Sequence, residues 1–288
     1  MKIEHLSLFF LLAFVVSTVA SAQVNFPGGR IALSHDGNLH DHDDYGAIAM
    51  ALAMLDAADL NNKVVHVDFA NHMGCNNGTM ENEMIESALG GAERFGFDQS
   101  VFFNDQRQIN AATNNFAAAI NASSANDPLW ILAAGPMETV WRGIKAAETN
   151  KRQFVKVISH GQWNDDHNHC QSNHTWRIMK TDFEDDGVSF IKIKDQNSSN
   201  GENDLNTPKN KWFWLKDSSN PDWKWLYSRN DKDTFDVSDA GMTYWLISGG
   251  PNGGCENCGW LETKGLLERE TDNIPPDPPK NVKVTPEQ

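Results

Sequence analysis

Basic residues are in short supply. The chain of 288 residues carries 24 Lys and Arg against 39 Asp and Glu, a formal net charge of -15. A surface of that sign repels phosphate backbones, so nucleic acid is not an expected partner, whereas cations and neutral, sugar-like ligands suit it. Tyrosine is scarcer still, three residues against ten tryptophans. Tryptophan offers a flat apolar face with one polar edge, and it serves for stacking on a sugar ring or for filling a core. Past Val16 no stretch approaches the roughly 18 apolar residues needed to cross a bilayer, so no membrane span is expected. No internal repeat is visible, which argues against a solenoid. With 40% hydrophobic and 22% charged residues, wholesale disorder, collagen and coiled coil are excluded as well.

The apolar run that does occur is N-terminal. Lys2 precedes Leu6 to Val16, and Ala20-Ser21-Ala22 forms a small-x-small cleavage site before Gln23. Residues 1–22 therefore read as a secretory signal peptide, and the mature protein is expected to be secreted or periplasmic. That compartment decides the reading of the four cysteines. Cys255 and Cys258, in a Gly-rich loop, are expected to form a local disulfide, with Cys75 and Cys170 forming a second. A four-cysteine zinc site is the weaker rival, because only one Cys-x-x-Cys pair exists. At the other end, Ile274 to Lys280 is a Pro-rich breaker. The alternating Asn281 to Thr285 after it looks like the opening of a fibronectin type III module, so residues 272–288 are read as a linker and its start.

Between residues 23 and 271 short β-branched runs alternate with helical periodicity. Strands are expected at Arg30–Ser34, Lys63–Phe69, Leu129–Ala134, Phe154–Ser159 and Val188–Ile193. Helices are expected at Asp44–Leu60, Thr79–Phe95, Ile109–Asn121, Met137–Glu148 and Ser238–Ile247. This alternation predicts an α/β domain with a mainly parallel, Rossmann-like sheet flanked by helices. A Trp-rich insertion at about 200–228 carries Trp212, Trp214, Trp223 and Trp225. It reads equally as a set of platforms for an extended glycan or as a small Trp-stapled subdomain.

In parallel sheets ligands collect beyond the carboxyl ends of the strands. There, after the first strand, Ser34 to Asp44 holds four Asp (36, 41, 43 and 44), three His and Asn38 within eleven residues. Helix capping accounts for one of these carboxylates; crowding the rest is costly unless a cation neutralises them. Hard oxygen donors favour Ca²⁺ or Mg²⁺, with zinc on His40 and His42 the weaker alternative.

A strand, an Asp-rich loop ending in Asp43-Asp44 and a buried helix together resemble the nucleoside hydrolase-like superfamily, with its Asp-x-Asp-(x)₃-Asp-Asp signature. Ile131 to Thr139 is similar to that family's strand and Gly-Pro turn. Asp236 to Met242 is similar to its late Asp-bearing segment, and Lys63 to Asn71 to its second strand. The resemblance implies a nucleoside hydrolase-like fold and one bound Ca²⁺. The ion would be held by Asp44, Asp239, Asp36 or Asn38, and the Ala134 carbonyl. Asp43 would be the general base and Asn71 would lie near the sugar.

The residues support the same chemistry directly. A cation among carboxylates can hold a water and vicinal hydroxyls together, and a neighbouring carboxylate, Asp43, takes the proton. The glycosyl bond then breaks through an oxocarbenium-like state. The proton donor is sought in the His-rich stretch after the fourth expected strand: His160, His167, His169 or His174, with Asp165 and Asp166 as rivals. Trp163, Asn164, His169 and Trp176, within or beside Gln162–His169, are candidate substrate contacts. The expected function is a secreted metal-dependent hydrolase of glycosyl bonds. Export, the Trp-rich insertion and the fibronectin-like tail favour an extracellular polysaccharide, in the manner of an agarase. The family resemblance favours a nucleoside. A non-catalytic, calcium-stabilised carbohydrate-binding protein is the rival of a different class.

Overall fold

A computed structural model of the chain describes residues 24–37, 43–74, 80–197, 205–230, 234–256 and 258–271. The expected signal peptide, Asn38, His40, His42, Cys75 and the fibronectin-like tail lie outside the described residues. The first half alternates strand and helix: β1 (Arg30–His35), α1 (Asp43–Ala57), β2 (Val64–Phe69), α2 (Glu81–Arg94), β3 (Phe102–Asn104), α3 (Asp105–Asn121), β4 (Leu129–Ala134), α4 (Glu138–Ala146), α5 (Thr149–Arg152) and β5 (Val155–Ser159). Then follow α6 (Gln162–Asp166), α7 (Trp176–Phe183), β6 (Ser189–Lys192), β7 (Asn206–Pro208), α8 (Phe213–Lys216), α9 (Pro221–Ser228), β8 (Thr234–Asp236), α10 (Ala240–Ile247) and α11 (Trp260–Thr271).

The main sheet has six strands in the order β3-β2-β1-β4-β5-β6, every neighbouring pair parallel. This is the doubly wound, Rossmann-like order, and it reverses direction between β1 and β4. Alternation along the strands divides the core in two. Ile31, Leu33, Trp130 and Leu132 face one side, toward α1, α2, α10 and α11. Ala32, Leu129, Ile131 and Ala133 face the other, toward α3, α4 and α7. Both faces of every central strand are covered, so these strands read as continuous apolar runs.

Helix α1 has no basic residue and is buried from Asp43 to Leu55. It is wrapped by α2, α10 and α11. At Gly91 of α2 a Cβ would stand 2.9 Å from Leu52 Cδ1, so a glycine there permits the approach. Truncating Leu52 to Ala would cost about 2–5 kcal/mol in such a site.

Nine of these elements were not expected: β3, α5, α6, α7, β7, α8, α9, β8 and α11. The short β3 was missed, and α3 begins four residues before its periodicity suggests. Asn104 caps α3 by accepting from the Gln106 amide at 3.0 Å, and Gln108 departs from helical geometry (φ -128, ψ 20). Helix α7 is started by Thr175, whose hydroxyl accepts from the Ile178 amide. The C-terminal α11 closes over α1. The Cys255–Cys258 disulfide forms as expected, which excludes a four-cysteine zinc site. Cys170 is also disulfide-bonded. The Trp-rich insertion packs inward. Trp212 is fully buried against Phe235 and donates to Thr207 Oγ1. Trp223 and Trp225 both meet Phe95, and Trp225 also lies under Arg94. Trp212 and Trp223 are buried in the main core, whereas Trp214 and Trp225 are only partly buried against it.

Candidate functional site

At the carboxyl edge of the sheet, beside the β1/β4 reversal, lies a cavity of about 190 Å³. Asp36, Asp43, Asp44, His160, Gly161, Gln162, Trp163, Asn164, Asp195, Asn197, Ser238 and Asp239 line it. Asp36 is the residue after β1. Its amide donates to the Ala134 carbonyl (2.9 Å) and its own carbonyl accepts from the Ala70 amide (3.1 Å). Its backbone is thus pinned to β4 on one side and to the end of β2 on the other. The close fit requires glycine at 135, which has φ +145 and whose added Cβ would fall 2.7 Å from Asp36 Cβ. Asp43 and Asp44 open α1, where the helix dipole favours carboxylates. Asp239 comes from the far end of the chain, at the N-cap of α10.

Asp36, Asp44 and Asp239 each bring a carboxylate oxygen to within 4.8 Å of the other two. All three residues are buried, and among the described residues no Lys or Arg lines the cavity. Oxygens that share a Ca²⁺ at about 2.3–2.6 Å stand no more than about 5 Å apart, so the donor set fits a hard divalent cation. Ala134 sits against Asp36 through the backbone bond but does not line the cavity. Asn38 lies outside the described residues.

His160 follows β5 and is almost wholly buried. Its Nε2 is 2.6 Å from Asp239 Oδ1. Its Nδ1 is 3.3 Å from Asp195 Oδ1, with the Gln196 backbone nitrogen 3.2 Å away. Burial works against the imidazolium, but the bonds to Asp195 and Asp239 outweigh it and raise the group to about 9. Both ring nitrogens are therefore engaged by the protein. His160 positions Asp239 and is not the expected proton donor with an N–H turned to a ligand. Asn164, on α6, assists by donating to Asp239 Oδ1 at 3.3 Å. His35, next to Asp36, is pushed down to about 4 by burial, against the pull of Asp239, so it adds no positive charge at neutral pH.

Other expected residues fall elsewhere. His167 and His169 line a second cavity of about 410 Å³ with Gln162, Trp163 and Asp166. Burial, then His72 and His169, lower His167 to about 4; it does not line the acidic cavity. Asn71 does not line the acidic cavity. Its Nδ2 donates to Ser34 Oγ at 2.9 Å and to Asp68 Oδ1 at 3.4 Å, one layer behind the site. Trp176 packs edge-on to Phe190 and lines neither cavity. Of the rival donors, Asp165 is held by Ser159 and Lys192, and His174 is bonded to Glu138 and stacked on Trp141.

Asp195 and Asn197 were missed. The signal was present: they follow the expected strand ending at Ile193, on the same carboxyl edge as Asp36 and His160. Asp195 lies below the usual carboxylate range, chiefly through its bond to His160.

No family model matches the chain. Over 261 residues it is 34% identical to "uncharacterized protein P22" of Formosa agariphila, an alignment covering 84% of this chain and 92% of that protein. No solved structure matches.

Proposed function

We propose, from the premise that the chain belongs to the same family as the Formosa agariphila protein P22, that it is an exported, Ca²⁺-dependent hydrolase of glycosyl bonds. The substrate we favour is an extracellular polysaccharide, cut in the manner of an agarase. One observation carries this reading. Three buried carboxylates from the end of β1, the start of α1 and the start of α10 converge within 4.8 Å, in a cavity that an aromatic side chain borders.

Asp36, Asp44 and Asp239 would hold the ion, with His160 and Asn164 fixing the Asp239 carboxylate. When bound, a divalent cation supplies Lewis-acid polarisation and a lowered water pKa. Two further carboxylates line the cavity. Asp195 is engaged by His160 and by the Asn197 amide. Asp43, at the first position of α1, is the general base: it accepts the proton of the attacking water. Direct attack by that water would invert the anomeric centre.

The test is a paired screen of nucleosides and of algal and plant polysaccharides, each with and without a chelator. New reducing ends from a polymer, abolished by chelation and restored by Ca²⁺, are the expected result. Cleavage of nucleosides alone would replace the polysaccharide with the substrate class of the resembled family. The exposed Trp163 also suits a non-catalytic, calcium-stabilised carbohydrate-binding protein. Asp43→Asn separates the two: a binding protein keeps its ligand and loses nothing, whereas the enzyme loses turnover.

A further inference from the structure

The acidic cavity is too small for a whole substrate. Its roughly 190 Å³ lies below the ~300–1,000 Å³ of ordinary small-molecule sites. Next to it, sharing Gln162 and Trp163, is the second cavity of about 410 Å³, completed by Asp166, His167 and His169. Trp163 is the common wall. His167 (4.3 Å, ring to ring) and His72 (6.0 Å) flank the indole, while Trp163 as a residue stays 45% exposed. His72 is fixed in turn, because Gln106 donates to its carbonyl and to that of Ala70. His167 is buried, and its Nε2 has no hydrogen-bond partner.

We propose that this second cavity is a binding subsite for a neutral sugar unit, so that the substrate is an uncharged oligosaccharide or polysaccharide running over Trp163 from one cavity to the other. The proposal rests on the glycosidase reading and narrows its substrate. A flanked, half-exposed indole presents the flat apolar surface on which the C–H face of a pyranose stacks. Around it stand a carboxylate (Asp166), an amide (Gln162) and imidazoles (His167, His169), the mixed donors and acceptors that hydroxyl groups need. Among the described residues no Lys or Arg lines either cavity, and five Asp line the first: Asp36, Asp43, Asp44, Asp195 and Asp239. Sulfated sugars and uronic acids would meet carboxylates there, and the one cationic group among the described lining residues, His160, already has both ring nitrogens bonded to Asp195 and Asp239. A nucleoside, which ends at its base, would leave the larger cavity partly empty.

Binding can be measured without turnover by working in the Asp43→Asn background with Ca²⁺ present. The probes are neoagarohexaose, cellohexaose and mannohexaose, their sulfated or uronic counterparts (carrageenan and polygalacturonate oligomers), and inosine. Calorimetry and saturation-transfer NMR read affinity and the protons in contact. At least one neutral hexasaccharide is expected to bind. Trp163→Ala should weaken it tenfold or more with an unchanged melting temperature, and Trp163→Phe should recover most of the loss. Neutral binding indifferent to Trp163→Ala would overturn the subsite and leave the hydrolase reading intact. Tighter binding of the anionic oligomers, or of inosine alone, would overturn the neutral-glycan assignment. Failure of the hydrolase reading itself would appear separately, as absence of turnover in the unmodified chain on any substrate that binds.

Discussion

Two groups of acids lie within one layer of each other and behave in opposite ways. Asp36, Asp43, Asp44 and Asp239 line a cavity at the sheet edge. Asp68, on β2, and Asp105, at the start of α3, are sealed in the core behind Asn71. In the sealed group Ser34 Oγ donates to Asp68 (2.7 Å) and Thr139 to Asp105 (2.5 Å). His66 touches Asp68 at 3.1 Å and Asn115 at 2.7 Å. Burial drives Asp68 up to about 7. Asp105 is raised well above its ordinary value, by burial and by the neighbouring Asp68 charge. Burial also pushes His66 down to about 4. Burial pushes the sealed acids toward retaining a proton; those at the cavity would, in the function proposed above, share a cation. The number of carboxylates does not make an ion site; access to it does.

The sharpest way to break this contrast is to disable the open group. Asp43→Asn should lower turnover by about 10²–10⁴-fold, the usual worth of a general base, with Ca²⁺ affinity retained by calorimetry. Asp239→Ala should abolish both. Equal loss from Asp105→Asn would erase the distinction.

Next comes linkage to the ion. Ca²⁺ at about 100 times its dissociation constant should add roughly 2.7 kcal/mol to unfolding in urea, and nothing to Asp239→Ala. If Mg²⁺ or Zn²⁺ stabilises more strongly than Ca²⁺, the cation must be reassigned.

The sealed group should matter for stability alone. Asp105→Ala leaves Asp68 and Thr139 without their partner and should cost about 1–3 kcal/mol. Ca²⁺ affinity should not change; a shift in that affinity would mean that the two groups are coupled.

The smallest effect concerns pH. Asp68 has a folded pKa raised to about 7, so its contribution is full below the unfolded carboxylate value near 4 and is lost as pH rises through 7. His66 has a folded value lowered to about 4, so its contribution is present above about 6.5 and is lost as pH falls through 4. The two trends oppose each other between 4 and 6.5. The sealed group should therefore show a net loss of stability above about pH 6.5, extended upward by Asp105. Asp105→Asn, which keeps the shape without the titration, should flatten that alkaline limb of a urea-midpoint profile.

Much of the frame was legible from local pattern. The apolar runs of β1, β2, β4 and β5 and the charge-poor face of α1 announce burial on both sides, and the Asp-rich loop after β1 marks the edge where ligands gather. Short or capped pieces were less so. A three-residue β3 carries too little periodicity, and the starts of α3 and α7 depend on single caps at Asn104 and Thr175. The Trp residues divide the same way. Trp212 and Trp163 both stand in polar, turn-rich sequence, yet one is a core filler and the other a cavity wall.

The sequence by itself determined the alternation of strand and helix, the Cys255–Cys258 bridge and the Asp-rich loop, because each arises from residues adjacent along the chain. Only the tertiary structure decided that Asp239 and His160 meet Asp36 and Asp44, that Asn71 turns its amide into the core, and that Asp68 and Asp105 are sealed from water. Those outcomes depend on the order of strands in the sheet and on the packing of helices over it. They bring together side chains separated by up to two hundred residues, at distances that no local pattern encodes.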